Sequence, residues 1–533
     1  MEGRSKEKGV EMSRKSITRE IPATDFSEIE KFVREILEKF KASSRSEIET
    51  MLVFEALYND IIDQILYENT VFSISGERIL GETRILIGFE GDLVTYPPEN
   101  KRMKTENMVM KAYADKIDHS YHAGYNYFSI VVDRNYSRSL VSCFIGIIMA
   151  FVSYIPMAFF MSEASRHYLL KEVVFPVEQI FADVMLLVGS AVTIFSLLNN
   201  MSDVFILSKR NSTVRRVYVK AMASSVFAIV LAISWGFFAD RMMKDFFNEA
   251  LSGYSGVRTV MISELLSDFR TNSSSPFPVI IYTLLIIYAM CSAGKYLDPI
   301  KKVIDGLYVL SSKILGLIMY TLPFFCALSI LDVLLEDGMK YIFQIVSMAL
   351  FIICSVSLIG IYYILRLKYA KVPVIPFIKK MPKLLKENLA INSSIFAVPY
   401  NIRYCTTQYG MNRKSLEKSI PILAEVNLDG NCFIIMMAVV VLFLSSDMTI
   451  NMYRMIGVAL LILFLSLGAP NQPGSCLIGL LITLQYLEMT DLVCVAIYME
   501  VFLGWLVNLV NVTGDIVTVA TEDVNAKLLR QNT

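Results

Sequence analysis

The chain runs to 533 residues, 54% of them hydrophobic, with a mean hydropathy of +0.50, far above the balance of a soluble domain. With 50 basic against 50 acidic residues, bulk charge excludes attraction to nucleic acid or to an acidic partner. Three histidines, and eight cysteines without a CxxC pair, argue against histidine-based catalysis, a zinc site and a disulfide framework.

Residues 1–21 are rich in charge and predict a disordered tail, and this charged opening predicts no signal peptide. Residues 22–138 predict a small cytoplasmic α+β domain. Ser27 and Glu30 read as a capping box, and Ile29, Phe32, Val33, Ile36, Leu37 and Phe40 follow at helical spacing. A second helix is expected over 46–67, with Phe54, Leu57, Ile61, Ile62 and Ile65 inward. Strand-like pieces follow at 70–74, 83–89, 92–96 and 127–132, and Pro97–Pro98 interrupts them. Within the second helix Glu55 and Asn59 lie one turn apart. With the closing HAGYNYFSIVV (122–132), this resembles the asparagine box of histidine-kinase-like ATPases of the anti-sigma-factor kind, where the Asn holds Mg²⁺ and the acid acts as base. The glycine-rich nucleotide boxes are absent and GFEGD (88–92) is a poor stand-in, so the domain is read as a degenerate ATPase-like one.

Uncharged runs long enough to span a bilayer follow in series, at 139–162, 184–202, 221–239, 271–294, 314–331 and 341–365. Six in succession leave little room for buried-core helices of a soluble protein. Basic stretches follow the second, fourth and sixth: residues 207–220; Lys295, Lys301 and Lys302; and Arg366, Lys368, Lys371, Lys379, Lys380, Lys383 and Lys386. All fall on one side if the front domain is cytoplasmic, which predicts a multi-pass protein of the cell membrane with cytoplasmic N- and C-termini. Residues 139–370 read as a scaffold of transmembrane helices 1–6.

From 371 to 533 the pattern changes, and this part reads as a transport core. NLAINSSIFAVPYNI (388–402) is short, partly polar and Pro-interrupted, and basic residues follow it. Residues 455–487 are uncharged but broken by SLGAPNQPGS (466–475). Each suits a re-entrant hairpin, because irregular backbone at membrane depth is tolerated only where it lines a cavity or is buried in protein. A polar-broken helix follows each, at 421–446 and 491–521, so the two halves look like inverted repeats around a midplane binding site. In the first broken helix Asn427, Asp429 and Asn431 sit on one short segment, with Glu425 just before them and no charge from 432 to 446. A carboxylate and amides there are costly unless something satisfies them, and a bound cation would.

Four motifs in order and spacing resemble the dicarboxylate/amino acid:cation symporter family, the glutamate-transporter fold, over most of 139–533. NLDGN (427–431) is similar to the family's NMDGT, NVTGD (511–515) to its eighth-helix motif, INSSIFAVP (391–399) to the serine-rich first hairpin tip and LGAPNQPGS (467–475) to the second. The resemblance implies eight spans, two hairpins, a homotrimer, an elevator motion, and coupling of solute uptake to Na⁺ or, in some members, H⁺. It makes Asn427, Asp429, Asn511 and Asp515 the Na⁺ ligands, an oxygen set that suits a hard cation. It places Ser393, Ser394, Gln472, Gly504, Val507 and Asn508 against the substrate. Glu500 keeps a carboxylate found in relatives.

The departures fall at the substrate. Gly504 stands where amino-acid carriers have an Asp for the ammonium group, Val507 where they have an Arg or a small polar residue, and Asn508 where they have a Thr. Loss of the Arg removes bidentate carboxylate recognition, so an acidic amino acid is not the expected cargo. Arg403, beside the basic loop, is given a topology role. Glu425 replaces a Thr and reads as a proton or cation modulator, or as a partner of Lys418. The expected activity is secondary symport of a small organic solute, of the dicarboxylate or amino acid class, with Na⁺ or H⁺. No enzyme activity and no organic cofactor are expected. The alternative is a membrane-bound sensor that binds ligand with the transporter fold and signals through the front domain.

Overall fold

The computed structural model describes residues 17–42, 44–64, 70–79, 82–94, 117–122, 124–132, 138–210, 212–247, 276–293, 298–336, 339–391, 393–445, 452–469, 474–489 and 492–523. The chain divides into two compact units, Met1–Tyr136 and Ser137–Thr533.

The first unit is an antiparallel sheet with two helices. Its elements are β1 (Ile17–Pro22), α1 (Phe26–Lys39), α2 (Ser44–Gln64), β2 (Val71–Ile79), β3 (Glu82–Glu90), β4 (Ile117–His122) and β5 (Tyr125–Val132). The strand order is β1-β2-β3-β5-β4. Side chains alternate across the sheet, and Phe72, Ile74, Ile85, Ile87, Phe89, Phe128 and Ile130 turn inward toward the apolar stripe of α1 and Phe54, Leu57 and Ile61 of α2.

Several details differ from expectation. Residues 17–21, expected in the tail, form with Pro22 the edge strand β1, paired from Ile17↔Gly76 to Pro22↔Val71. Asp25, not Ser27, caps α1: its side chain accepts from the Glu28 N–H at 3.1 Å, while Glu30 pairs with Arg34 at 2.7 Å. Residues 92–94 are not a strand. There the buried Asn126 accepts from the Val94 N–H at 3.1 Å and donates to the Asp92 carbonyl at 2.9 Å. Ile65 and residues 95–96 lie outside the described residues.

The ATPase reading meets two physical objections. Gly88, Phe89 and Glu90 of GFEGD belong to β3, where Gly88 pairs with Ser73 and Tyr127, so this stretch is strand rather than a phosphate-cradling loop. A cavity of about 640 Å³ beside it carries Glu20, Glu90 and Asp92 in its lining, a charge that repels phosphate. Asn59 is exposed on α2.

The second unit is helical. In order it holds α3 (Arg138–Phe160), α4 (Glu163–Leu169), a π-helical turn (Leu170–Val174), α5 (Phe175–Arg210), α6 (Ser212–Phe247), α7 (Phe277–Ala293), α8 (Asp298–Met319), α9 (Leu322–Glu336), α10 (Met339–Tyr369), α11 (Val374–Ile391), α12 (Ser394–Tyr409), α13 (Arg413–Val426), α14 (Asp429–Ser445), α15 (Met452–Leu467), α16 (Ser475–Tyr486) and α17 (Val493–Glu522). Among the described residues five helical stretches are long and apolar enough to cross a membrane: Glu163–Phe205, Ser212–Ala239, Val346–Tyr369, Arg413–Leu444 and Val495–Glu522. A sixth is Pro299–Met319 with Leu322–Leu335, bent by 49°. This makes the chain a multi-pass helical protein. The expected fifth span, 314–331, straddles that bend, which falls where Pro323 lacks the N–H to continue the ladder and is suited to a helix's first turn. The count of eight is not reached on length and composition among the described residues, since the helices at the expected first and fourth spans, Phe144–Phe160 within α3 and Phe277–Ala293 (α7), are short apolar helices.

Outer helices present apolar side chains: Phe144, Ile148, Phe159 and Phe160 of α3, and Tyr282, Leu285 and Tyr288 of α7 are exposed. Such a surface suits lipid. By contrast every residue from 426 to 444 is buried, so α14 is apolar on all sides because it has no lipid face.

α11 and α12 form a helix pair around residues 392–393, wider than the expected 388–402. α15 and α16 form the second pair, and its tip residues 470–473, Gln472 included, lie outside the described residues. The helix after each pair differs. α13 and α14 are separated at Asn427–Leu428, as expected, but α17 runs unbroken from 493 to 522. NVTGD does not interrupt it: Thr513 turns its hydroxyl to the Leu509 carbonyl at 2.7 Å within the helix, and Gly514 keeps helical geometry.

Candidate functional site

The site begins at the α13–α14 break. Asn427 closes α13, its N–H still bonded to the Leu423 carbonyl at 2.7 Å, and Asp429 opens α14. A carboxylate in the first turn is favoured by the helix dipole, and the free N–H groups of that turn need acceptors. Asn511 of α17 supplies one: its Oδ1 accepts from the Gly430 N–H at 2.7 Å, and its Nδ2 donates to Asn431 Oδ1 at 3.3 Å. One turn on, Asp515 Oδ1 accepts from Asn427 Nδ2 at 2.9 Å. The structure thus brings Asn427, Asp429, Asn511 and Asp515 together in the interior, where each is at most 4% exposed.

Their states differ. Asp429 accepts from three hydroxyls: Ser224 at 2.6 Å and Ser225 at 3.0 Å, both on α6, and Tyr363 of α10 at 2.9 Å. Asn427 Oδ1 is buried and has no hydrogen-bond partner. Asn427 thus gives its amide nitrogen to Asp515 and keeps an orphaned amide oxygen; that oxygen and the buried carboxylate are hard donors of the kind that fits a monovalent cation such as Na⁺. Gly514 makes the approach possible. A Cβ there would lie 2.8 Å from each of Asn427 Nδ2, Asp429 Oδ2 and Tyr363 Oη.

Ser224, Ser225, Tyr363 and Arg366 were not among the expected site residues. Arg366, counted with the loop cations, is a half-buried residue of α10 whose Nη1 donates to Ser224 Oγ at 3.0 Å and whose Nη2 donates to Thr518 Oγ1 at 3.1 Å. The adjacent serines at 224–225, inside an otherwise apolar run, were the signal available in the sequence.

The residues expected at the substrate are more dispersed in role. Ser393 and Ser394 are buried at the start of α12. Asn508 Nδ2 donates to the Asn388 carbonyl at 3.3 Å, tying α17 to α11, and Asn388 Nδ2 donates to Asn401 Oδ1 at 2.8 Å. Asn388 Oδ1 is a second buried acceptor with no partner. Gly504 is not vacant space, because Glu500 lies against it and a Cβ would meet Glu500 Oε1 at 2.8 Å. Val507 is buried, and its carbonyl crowds Gly430.

Glu500 has a distinct task. Its Oε1 accepts from the Gly474 N–H at 2.9 Å and its Oε2 from the Leu477 N–H at 3.0 Å, so it caps the start of α16 from another helix. Glu425 is half-buried on the last turn of α13, two residues before Asn427, and has interactions of its own.

No curated protein matches the chain, and nothing found supports the ATPase likeness of the front unit. The sequence model of the "Sodium:dicarboxylate symporter family" matches residues 136–523. That range takes in every helix from α3 to α17, the break, and the residues gathered around it. The chain therefore belongs to the sodium:dicarboxylate symporter family.

Proposed function

We propose that the protein is a secondary active symporter of the cell membrane. It moves a small organic solute of the dicarboxylate or amino acid class together with Na⁺, through an elevator movement of the part from 371 onward. A homotrimer with both termini cytoplasmic, eight spans and two re-entrant hairpins (α11–α12 and α15–α16) completes this reading. The observation that carries it is the meeting of Asp515, Asn427, Asp429 and Asn511 at a helix break, inside the region matched to a family of symporters. Transport is favoured over a purely sensory role by that membership.

Asn427 and Asp515 would hold the ion, with Asn511 beside them. Bound there, Na⁺ supplies the positive charge that makes a buried carboxylate tolerable in a domain that must pass through low dielectric. The chain's own residues do the rest. Glu500 joins the second hairpin to α17, Asn508 joins α17 to the first, and so one helix holds both hairpins beside the ion site. With Gly504 and Val507 in place of a charged pair, recognition falls to Ser393, Ser394, Asn508 and Gln472, which read polar groups by hydrogen bonds rather than by ion pairing.

The test is uptake into proteoliposomes across a panel of dicarboxylates and neutral amino acids, with and without an inward Na⁺ gradient. Accumulation of at least one solute only with the gradient is expected, and Asp515→Asn should abolish that dependence. Specific binding without accumulation of any solute would defeat the symport reading.

A further inference from the structure

Asp429 and Asp515 are both buried at the break, and Asn427 is bonded to the second of them. Its Nδ2 donates to Asp515 Oδ1 at 2.9 Å, and a side chain on Gly514 would meet both that Nδ2 and Asp429 Oδ2. Two uncompensated carboxylates in so buried a place are strongly unfavourable. Their surroundings are unequal. Asp515 is bonded to an amide. Asp429 is ringed by the hydroxyls of Ser224, Ser225 and Tyr363, and behind Ser224 stands the Arg366 guanidinium.

Arg366 is fixed in place. Nη1 donates to Ser224 Oγ at 3.0 Å, Nη2 to Thr518 Oγ1 at 3.1 Å, and the guanidinium lies 5.5 Å from the centre of the Tyr362 ring. Ser224, while accepting from Arg366, donates its own hydroxyl hydrogen bond to Asp429 at 2.6 Å. Charge on the donor side polarises the hydroxyl and strengthens its bond to the carboxylate. An arginine holds its charge at every physiological pH.

We propose that Arg366 is a tethered cation: it brings to Asp429, through Ser224, the positive charge that a bound ion would otherwise supply, and leaves Asp515 as the carboxylate that needs one. Two negative charges and one fixed positive charge leave room for a single monovalent ion at the break. The oxygens of Ser224, Ser225, Tyr363 and Asp429 form a hard donor set, and the guanidinium makes an ion there unnecessary. Removing Arg366 opens this set to Na⁺. The bond to Thr518 places the tethered charge one turn from Asp515 on α17, so it is held beside the ion site by the helix that bears it. This role rests on the symport reading only for the ion at Asp515; the pairing of Arg366 with Asp429 stands apart from it.

The experiment is thermal unfolding of the full-length protein in detergent as NaCl replaces choline chloride at constant ionic strength. A ligand that binds only the folded state raises stability in proportion to the logarithm of its concentration, with a slope set by the number of ions bound. The wild type should show a slope of about one ion, which Asp515→Asn removes. Arg366→Met should melt lower without Na⁺ and show a slope about twice as steep. The double variant Arg366→Met/Asp429→Asn should melt above Arg366→Met and return to the wild-type slope. A wild-type slope of about two ions, or an Arg366→Met slope equal to the wild type's, overturns the proposal. So does a double variant that melts no higher than Arg366→Met. If the wild type shows no Na⁺ dependence, the symport reading of Asp515 fails, while the recovery of the double variant still decides whether Arg366 compensates Asp429.

Discussion

Gly514 sits in the interior of α17, where glycine costs about 1 kcal/mol against alanine in helix propensity. Its neighbours account for its presence: a Cβ would lie 2.8 Å from Asn427 Nδ2, Asp429 Oδ2 and Tyr363 Oη at once. None of these can move cheaply, because Asn427 holds Asp515 and Tyr363 holds Asp429. Gly514→Ala should therefore lower stability by roughly 1–3 kcal/mol despite the better propensity. It should also raise the Na⁺ concentration for half-maximal stabilisation about tenfold, the equivalent of some 1.4 kcal/mol. The control is Gly316→Ala in α8, where an added Cβ meets nothing within 4 Å and stability should hold or rise. Calorimetry on both variants checks the pair. This scale also marks the limit of what the sequence reveals. Asp429 and Asp515 were legible because carboxylates inside apolar runs demand a reason. Ser224, Ser225 and Tyr363 were not, since hydroxyls are ordinary in apolar helices and their partner lies 205 residues from Ser224. Nor was Arg366, because an arginine at the end of a span reads first as an orientation signal.

At the scale of elements, hydropathy placed the long helices and missed where they bend. A run of apolar residues does not distinguish one straight span from two helices meeting at 49°, as α8 and α9 do. Nor does a polar motif by itself separate a break from a continuous helix. NLDGN separates α13 from α14, and Asn511 answers the Gly430 N–H left free there, whereas NVTGD lies inside the continuous helix α17. The second hairpin depends on a cap from outside. Gly474 opens α16 with φ +97, a left-handed conformation that suits glycine, and no side chain of α16 caps it. Glu500 answers both the Gly474 and Leu477 N–H groups. Glu500→Gln would keep one acceptor and turn an NH₂ toward a donor, leaving a buried N–H unsatisfied at a cost of about 1–3 kcal/mol. Hydrogen exchange should speed up at Gly474 and Leu477 while the amides of α14 keep their protection. If the amides at the start of α16 stay as protected as in the wild type, Glu500 is not the cap that holds it.

At the scale of the molecule, the two units have separate cores. In the first, Phe54 is fully buried on α2 against a sheet whose inner face is Phe72, Ile74, Ile85, Ile87 and Phe128. In the second, the interior is the polar break and the residues around α14. The two cores are built from different stretches of chain, and in the first alternation and helical periodicity are legible while the edge strands, β1 and β4, are not. Edge strands bury less and are charged, as ITREIP and IDHSYH are, so their pattern is weak. Separate cores predict separate energetics. Phe54→Ala should destabilise the first unit by roughly 3–5 kcal/mol, since it removes a ring from a packed interior and leaves a cavity. In the detergent-solubilised full chain this should lower one unfolding transition. The Na⁺-dependent transition should stay where it is, because the ion binds residues of the other unit and can stabilise only the state that contains them. Scanning calorimetry of the wild type and Phe54→Ala at low and high Na⁺ separates the two. A Na⁺-dependent transition that falls along with the first would mean that the front unit is energetically coupled to the cation site, and that the ion's binding energy reaches the sheet.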